Sequence, residues 1–151
     1  MTITKAQWRL VLGAALTQAL TAAALRTMSF GTLFRLAQWG RPIVQWLLRG
    51  PESQVVWAIT ATGRRLGSLS TCLVRALVAE LALSSPQRAL QIRMGVRRNV
   101  NGLDAHAWLV DGERVLLGGP VGNEFVVTAA WEHAGLCNAS ASCDRGRAHP
   151  R

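Results

Sequence analysis

The sequence is poor in acidic side chains, almost without lysine and short of cysteine. Eight Asp and Glu stand against 17 Lys and Arg, leaving a formal net charge of +9 over 151 residues. All of the basic side chains except Lys5 are arginines. A surface of this sign suits nucleic acid, anionic lipid or an acidic peptide. No zinc finger, aromatic RNA-binding box or basic helix is present and the arginines are scattered, so nucleic acid is set aside as a partner. The three cysteines, Cys72, Cys137 and Cys143, leave one over after any pairing. That excludes a disulfide framework and points to a reducing, cytoplasmic setting.

A long hydrophobic run is missing too. A membrane-spanning helix needs about 20 apolar residues. The stretch Leu10 to Leu25 is shorter and is broken by Thr17, Gln18 and Thr21. The preferred reading is a buried or partner-facing helix. The competing reading is an N-terminus peripheral to the inner membrane face, or a signal peptide with Lys5 and Arg9 ahead of its apolar run. Metal-ligand spacing is also absent. His133, Cys137, Cys143 and His149 fit neither a zinc ribbon nor a finger, so no metal and no cofactor is expected.

What is present is a chain that is half apolar, long enough for a sizeable core. Thr4 and Gln7 have capping-box spacing, and apolar residues recur at helical intervals to about Arg26. Ser29 can cap a second helix, expected to break around Gly40-Arg41-Pro42 because proline interrupts the ladder. Trp39 and Trp46, seven apart, share a face if the helix resumes, and read as core or interface aromatics. After Gly50-Pro51, Ser53 is the expected cap of a third helix to about Arg65. Gly67 to Ser70 reads as a loop, and Thr71 to Leu83 as a helix apolar on most of its circumference, hence central.

Past Pro86 the period changes from 3.6 to 2. Leu90, Ile92, Met94 and Val96 form one face of a strand, and Asn99 to Gly102 its turn. In the next strand, Ala105 to Val110, His106, Trp108 and Val110 share a face. Asp111-Gly112 signals a hairpin that pairs Val110 with Glu113, so that His106 faces Leu117 or, with a one-residue shift, Gly118. A short strand at 124–128 follows. The expected organisation is an N-terminal helical region (1–50), a core of helix and sheet (51–131) and a disordered tail (132–151).

Cys72 opens its helix, where unpaired backbone N–H groups favour a thiolate and can hold an oxyanion. His106 is a base that a strand can carry over it. Composition alone leaves open a blander reading, in which Cys72 is a small buried hydrophobe and His106 a hydrogen-bonded core histidine. The motifs Ser70-Thr-Cys72-Leu-Val-Arg-Ala-Leu, Gly95-Val-Arg-Arg, Ala105-His106-Ala-Trp and Val115-Leu-Leu-Gly-Gly, in this order, resemble lasso-peptide leader peptidases. These are stand-alone, transglutaminase-like cysteine proteases that form the C-terminal half of a split maturation protein. The resemblance spans roughly residues 26 to 130. It implies an α+β, papain- or transglutaminase-like fold with the cysteine helix packed on a small antiparallel sheet, and a Cys-His-Asp site. It further implies a small leader-binding protein that presents the precursor peptide, and an ATP-dependent cyclase acting on the freed core.

Cys72 carries over as nucleophile and His106 as base. The third member has no clean match. Asp111 has the wrong strand parity and reads as a turn residue. Asp104 has the right parity but lies at the strand's start. Asn123, a backbone carbonyl or no group at all remain open. The alternatives to a peptidase are an acyltransferase using the same dyad and a weak or inactive peptide-presenting module.

Overall fold

The structure is a computed structural model that describes residues 5–100, 102–119, 125–132 and 135–137. Four helices precede one antiparallel sheet, an α+β arrangement. The helices are α1 (Lys5–Thr27), α2 (Phe30–Leu47), α3 (Glu52–Leu66) and α4 (Cys72–Leu83), and the strands β1 (Gln91–Asn99), β2 (Gly102–Asp111), β3 (Arg114–Leu117), β4 (Val126–Glu132) and β5 (Gly135–Cys137). The sheet order is β3-β2-β1-β4-β5. α4 is the hub: it packs on α1, α2 and α3 and on strands β1, β2 and β3. Its residues Ala76, Leu77, Val78, Ala79 and Leu81 are buried on several sides, as an all-round apolar helix requires. Leu77 joins one core with Ile59 of α3, Ile92 of β1 and Leu109 of β2.

Three expectations need correction. α2 does not break at Gly40-Arg41-Pro42 but runs through Pro42. An interior proline costs about 3 kcal/mol and disfavours helical backbone at the residue before it. That residue is Arg41, buried and tied into tertiary structure: its guanidinium pairs with the fully buried Glu80 at 2.7 Å, donates to Ser84 O at 3.2 Å and also reaches Gln38. Tertiary anchoring overrides the local penalty. Secondly, α3 is capped by Pro51, not Ser53, with Glu52 in its first turn. The pyrrolidine ring fixes φ near the observed −58°, which starts the helix two residues earlier. Thirdly, the β2–β3 turn is one residue later than expected. Asp111 faces Arg114, Val110 faces Val115, and a bulge then places Leu109 opposite Leu117. Gly112 takes the positive φ of the turn (58°), which leaves Asp111 in the strand.

β4 runs to Glu132 and β5 pairs with it at Gly135–Cys137, inside the stretch read from sequence as tail; 138–151 lie outside the described residues. The loose His133, Cys143 and His149 set is likewise outside them. Among the described residues no three His, Cys, Asp or Glu side chains gather as a metal site.

Candidate active site

The segment that delivers Cys72 is fixed from behind. Gly67, at φ 55°, ends α3 and leads into a single 3-10 turn, Gly67–Leu69. Ser70 is buried and donates to Gln18 Oε1 of α1. Gln18 Nε2 donates to Thr62 Oγ1 at 2.6 Å and to Ile59 O at 3.2 Å on α3. Gly63 makes room for this knot: a Cβ there would stand 2.9 Å from Ser70 Oγ and 2.7 Å from Arg75 Cδ. Two helices, α1 and α3, thus fix the backbone one residue before the cap of α4. Gln18 appeared in the sequence only as a polar interruption in an apolar run. That interruption was the available signal of a buried partner.

Thr71 caps α4, its hydroxyl accepting from Val74 N at 3.3 Å. Cys72 is the first helical residue, and its N–H and that of Leu73 lie ahead of the helix ladder, free to meet a developing negative charge. The thiol is free and half-buried.

His106 lies on β2 opposite Gly95 of β1. Its Nε2 is 2.7 Å from Gly118 O. A carbonyl only accepts, so Nε2 carries the proton and, in the neutral ring, Nδ1 keeps its lone pair. Glycine is required at 118: its φ is 118°, and a Cβ would lie 2.5 Å from Trp108 Cβ. Trp108 stacks on the imidazole at 6.1 Å between centroids, and Phe125 packs on it at 5.6 Å. Gly95 leaves room for that indole, since a Cβ there would be 2.9 Å from Trp108 Cη2.

The imidazole opens onto a cleft of about 340 Å³ lined by Val56 and Thr60 of α3, Arg75 of α4 and residues 116–119. Arg75 is one helical turn past Cys72 on the same side of α4. Its Nε is buried and meets no hydrogen-bond acceptor among the described residues. Cys72 itself does not line this cleft, and no hydrogen bond joins its sulfur to the His106 ring.

Neither candidate aspartate reaches the imidazole. Asp104 pairs with Arg97 at 3.0 Å across the β1–β2 ladder, and Arg97 in turn lies over the Phe125 ring at 4.9 Å. Asp111 pairs with Arg88 at 2.6 Å, and Arg88 also pairs with Glu52 at 2.6 Å, tying the hairpin to the start of α3. Asp111 first, then Glu52, raises the pKa of the Arg88 guanidinium by hydrogen bonding. The group held against His106 is the Gly118 carbonyl; Asn123 lies outside the described residues.

A family model for the transglutaminase-like superfamily matches residues 9–130, which takes in nearly all of the four helices and the sheet as far as β4. No curated protein matches and no solved structure matches.

Proposed function

Because the chain belongs to the transglutaminase-like superfamily, in which cysteine peptidases and acyltransferases are common, we propose that it is a cysteine peptidase that removes the leader from a lasso-peptide precursor. Its partners in this reading are that precursor and a small leader-binding protein. The observation that carries it is the state of His106: Nε2–H is held by the Gly118 carbonyl, leaving Nδ1 as the base, in a cleft that meets α4 one turn from Cys72. In apo enzymes such hydrogen bonds are often long and tighten only with substrate.

On peptide binding Nδ1 accepts the Cys72 proton and the sulfur attacks the scissile carbonyl. The oxyanion meets the first-turn N–H groups of α4. The imidazolium returns its proton to the leaving amine, and water, deprotonated by the same ring, hydrolyses the thioester to give the leader acid and free thiol. Gly118 fixes tautomer and ring orientation but, being neutral, stabilises imidazolium less than a carboxylate does. The reading therefore expects a slow enzyme.

The test is mass spectrometry of precursor and leader-binding protein incubated with wild type or with Cys72→Ala. Separated leader and core are expected from the wild type alone. Cleavage by the alanine variant would remove the nucleophile assignment. An amide product on addition of a primary amine, in place of free leader acid, would assign the chain to acyl transfer instead.

A further inference from the structure

Two rows of large apolar side chains stand open on the first two helices. On α1, Trp8, Leu12, Leu16 and Leu20 recur every fourth residue, with Leu12 63 % and Leu20 62 % exposed. On α2, Leu36, Trp39, Ile43 and Trp46 follow at intervals of three and four, with Trp39 88 % and Trp46 65 % exposed. Each row is one helix face. The helices are antiparallel neighbours: Gly13 approaches the Leu47 carbonyl, and Arg9 donates to Arg49 O at 2.7 Å. α1 packs on both α2 and α3, and all three pack on α4. Their faces turned away from α4 therefore form one outer surface.

The charge around these rows has a single sign. No Asp or Glu precedes Glu52 in the sequence. Arg9, Arg26, Arg35 and Arg49 are exposed on or beside α1 and α2, whereas Arg41 is neutralised by Glu80. A Leu- and Trp-bearing face bordered by arginines without acidic neighbours has the composition of a helix lying in a lipid headgroup layer. A protein partner of mixed charge gives no reason for the complete lack of carboxylates.

We infer that the outer face of α1 and α2 docks flat on an anionic bilayer. Crossing is excluded by what α1 does on its other side. The helix passes a length and hydropathy test for a span, over Gln7–Thr27. Yet Leu10, Ala14, Thr17, Gln18 and Thr21 are buried against the protein, and Gln18 is bonded to α3 and to Ser70. Inserting α1 across a bilayer would strip those bonds and open the core, whereas lying on it costs neither. The inference is independent of the peptidase reading.

The experiment is co-sedimentation of the full chain with vesicles of phosphatidylcholine, alone or mixed with phosphatidylglycerol, alongside tryptophan emission. Binding to the mixed vesicles, weakened by salt and accompanied by a blue shift, is expected. Arg35→Glu/Arg49→Glu should lower the partition coefficient at least about twentyfold, since each basic side chain near an anionic surface contributes roughly fivefold. Trp39→Ser/Trp46→Ser should shrink the blue shift, leaving the part that comes from Trp8. Both pairs are exposed, so unchanged circular dichroism and thermal midpoint show that the fold is intact. Failure of wild type to bind anionic vesicles would overturn the inference. So would equal binding by all variants, or a lipid-free dimer that Trp39→Ser/Trp46→Ser dissolves, which makes a second copy the occupant.

Discussion

The two ends of α4 are built to opposite rules. At its C-terminal end the charges are paired: Glu80 Oε1 meets Arg41 at 2.7 Å and Ser84 Oγ at 2.9 Å, and Gln45 donates to Ser84 O at 2.8 Å, while Glu80 Oε2 is buried with no hydrogen-bond partner among the described residues. At its N-terminal end, among the described residues, the thiol has no partner, two backbone N–H groups precede the ladder, and the Arg75 Nε is buried without an acceptor. Buried polar groups left unmatched are costly and uncommon. The two ends therefore differ in kind: Glu80 is held in a buried ion pair, whereas Arg75, beside a cleft that an imidazole lines, has no acceptor for its Nε among the described residues.

That division is broken most directly by exchanging the expected effects. His106→Ala should lower the rate of leader release by about 10²–10⁴-fold, the usual worth of a positioned base, and leave the urea midpoint near that of wild type. Glu80→Ala should do the reverse. It strands a buried guanidinium, for which a loss of about 3–5 kcal/mol in urea unfolding is expected, while the molecules that remain folded keep their specific activity. Replacing both partners, Arg41→Met with Glu80→Leu, should recover most of that stability. A large stability loss in His106→Ala, or a dead but well-folded Glu80→Ala, would show that the two ends are not separate.

Gly118→Ala tests the boundary between the two rules. Its Cβ would strike Trp108 Cβ and its backbone would resist a φ of 118°. Relief requires moving the carbonyl that orients His106. A loss of about 1–3 kcal/mol of stability is expected from overpacking and strain. It should come with a drop in kcat larger than any change in KM, because the base is misaimed while the cleft persists. Equal activity in this variant would mean that the carbonyl does not orient the ring.

The order of elements was legible because helical and strand periods are local properties. The loop Gly67 to Ser70 and the apolar run after it announced α4 to within one residue of its start, and the alternation around His106 announced β2. Pro42 misled because the force that holds α2 straight comes from Glu80, 39 residues after Arg41. The hairpin register misled by one residue because Gly112, not Asp111, takes the left-handed position and a bulge at Leu109/Val110 absorbs the mismatch. Of the site, the helix and strand that carry the cysteine and histidine could be read from pattern. The Gly118 carbonyl could not, since a backbone acceptor has no residue type. The Gln18–Ser70–Thr62 knot was hidden for a related reason: its members are ordinary polar residues that acquire meaning only when brought together.

The smallest expected effect is the most discriminating for the comparison of the two ends. Arg75→Met keeps most of the side chain's length and the packing of its stem against Gly63, but removes the unmatched Nε. At the C-terminal end, deleting a charge strands its partner. Here no partner among the described residues is stranded, so unfolding free energy should stay within about 0.5 kcal/mol of wild type or rise. If the guanidinium instead receives an acceptor from the bound peptide, the cost appears as a higher KM, roughly tenfold for one charge-assisted hydrogen bond, with kcat little changed. Destabilisation by several kcal/mol would mean that Arg75 belongs to the scaffold after all, and that the open end of α4 is confined to its first turn.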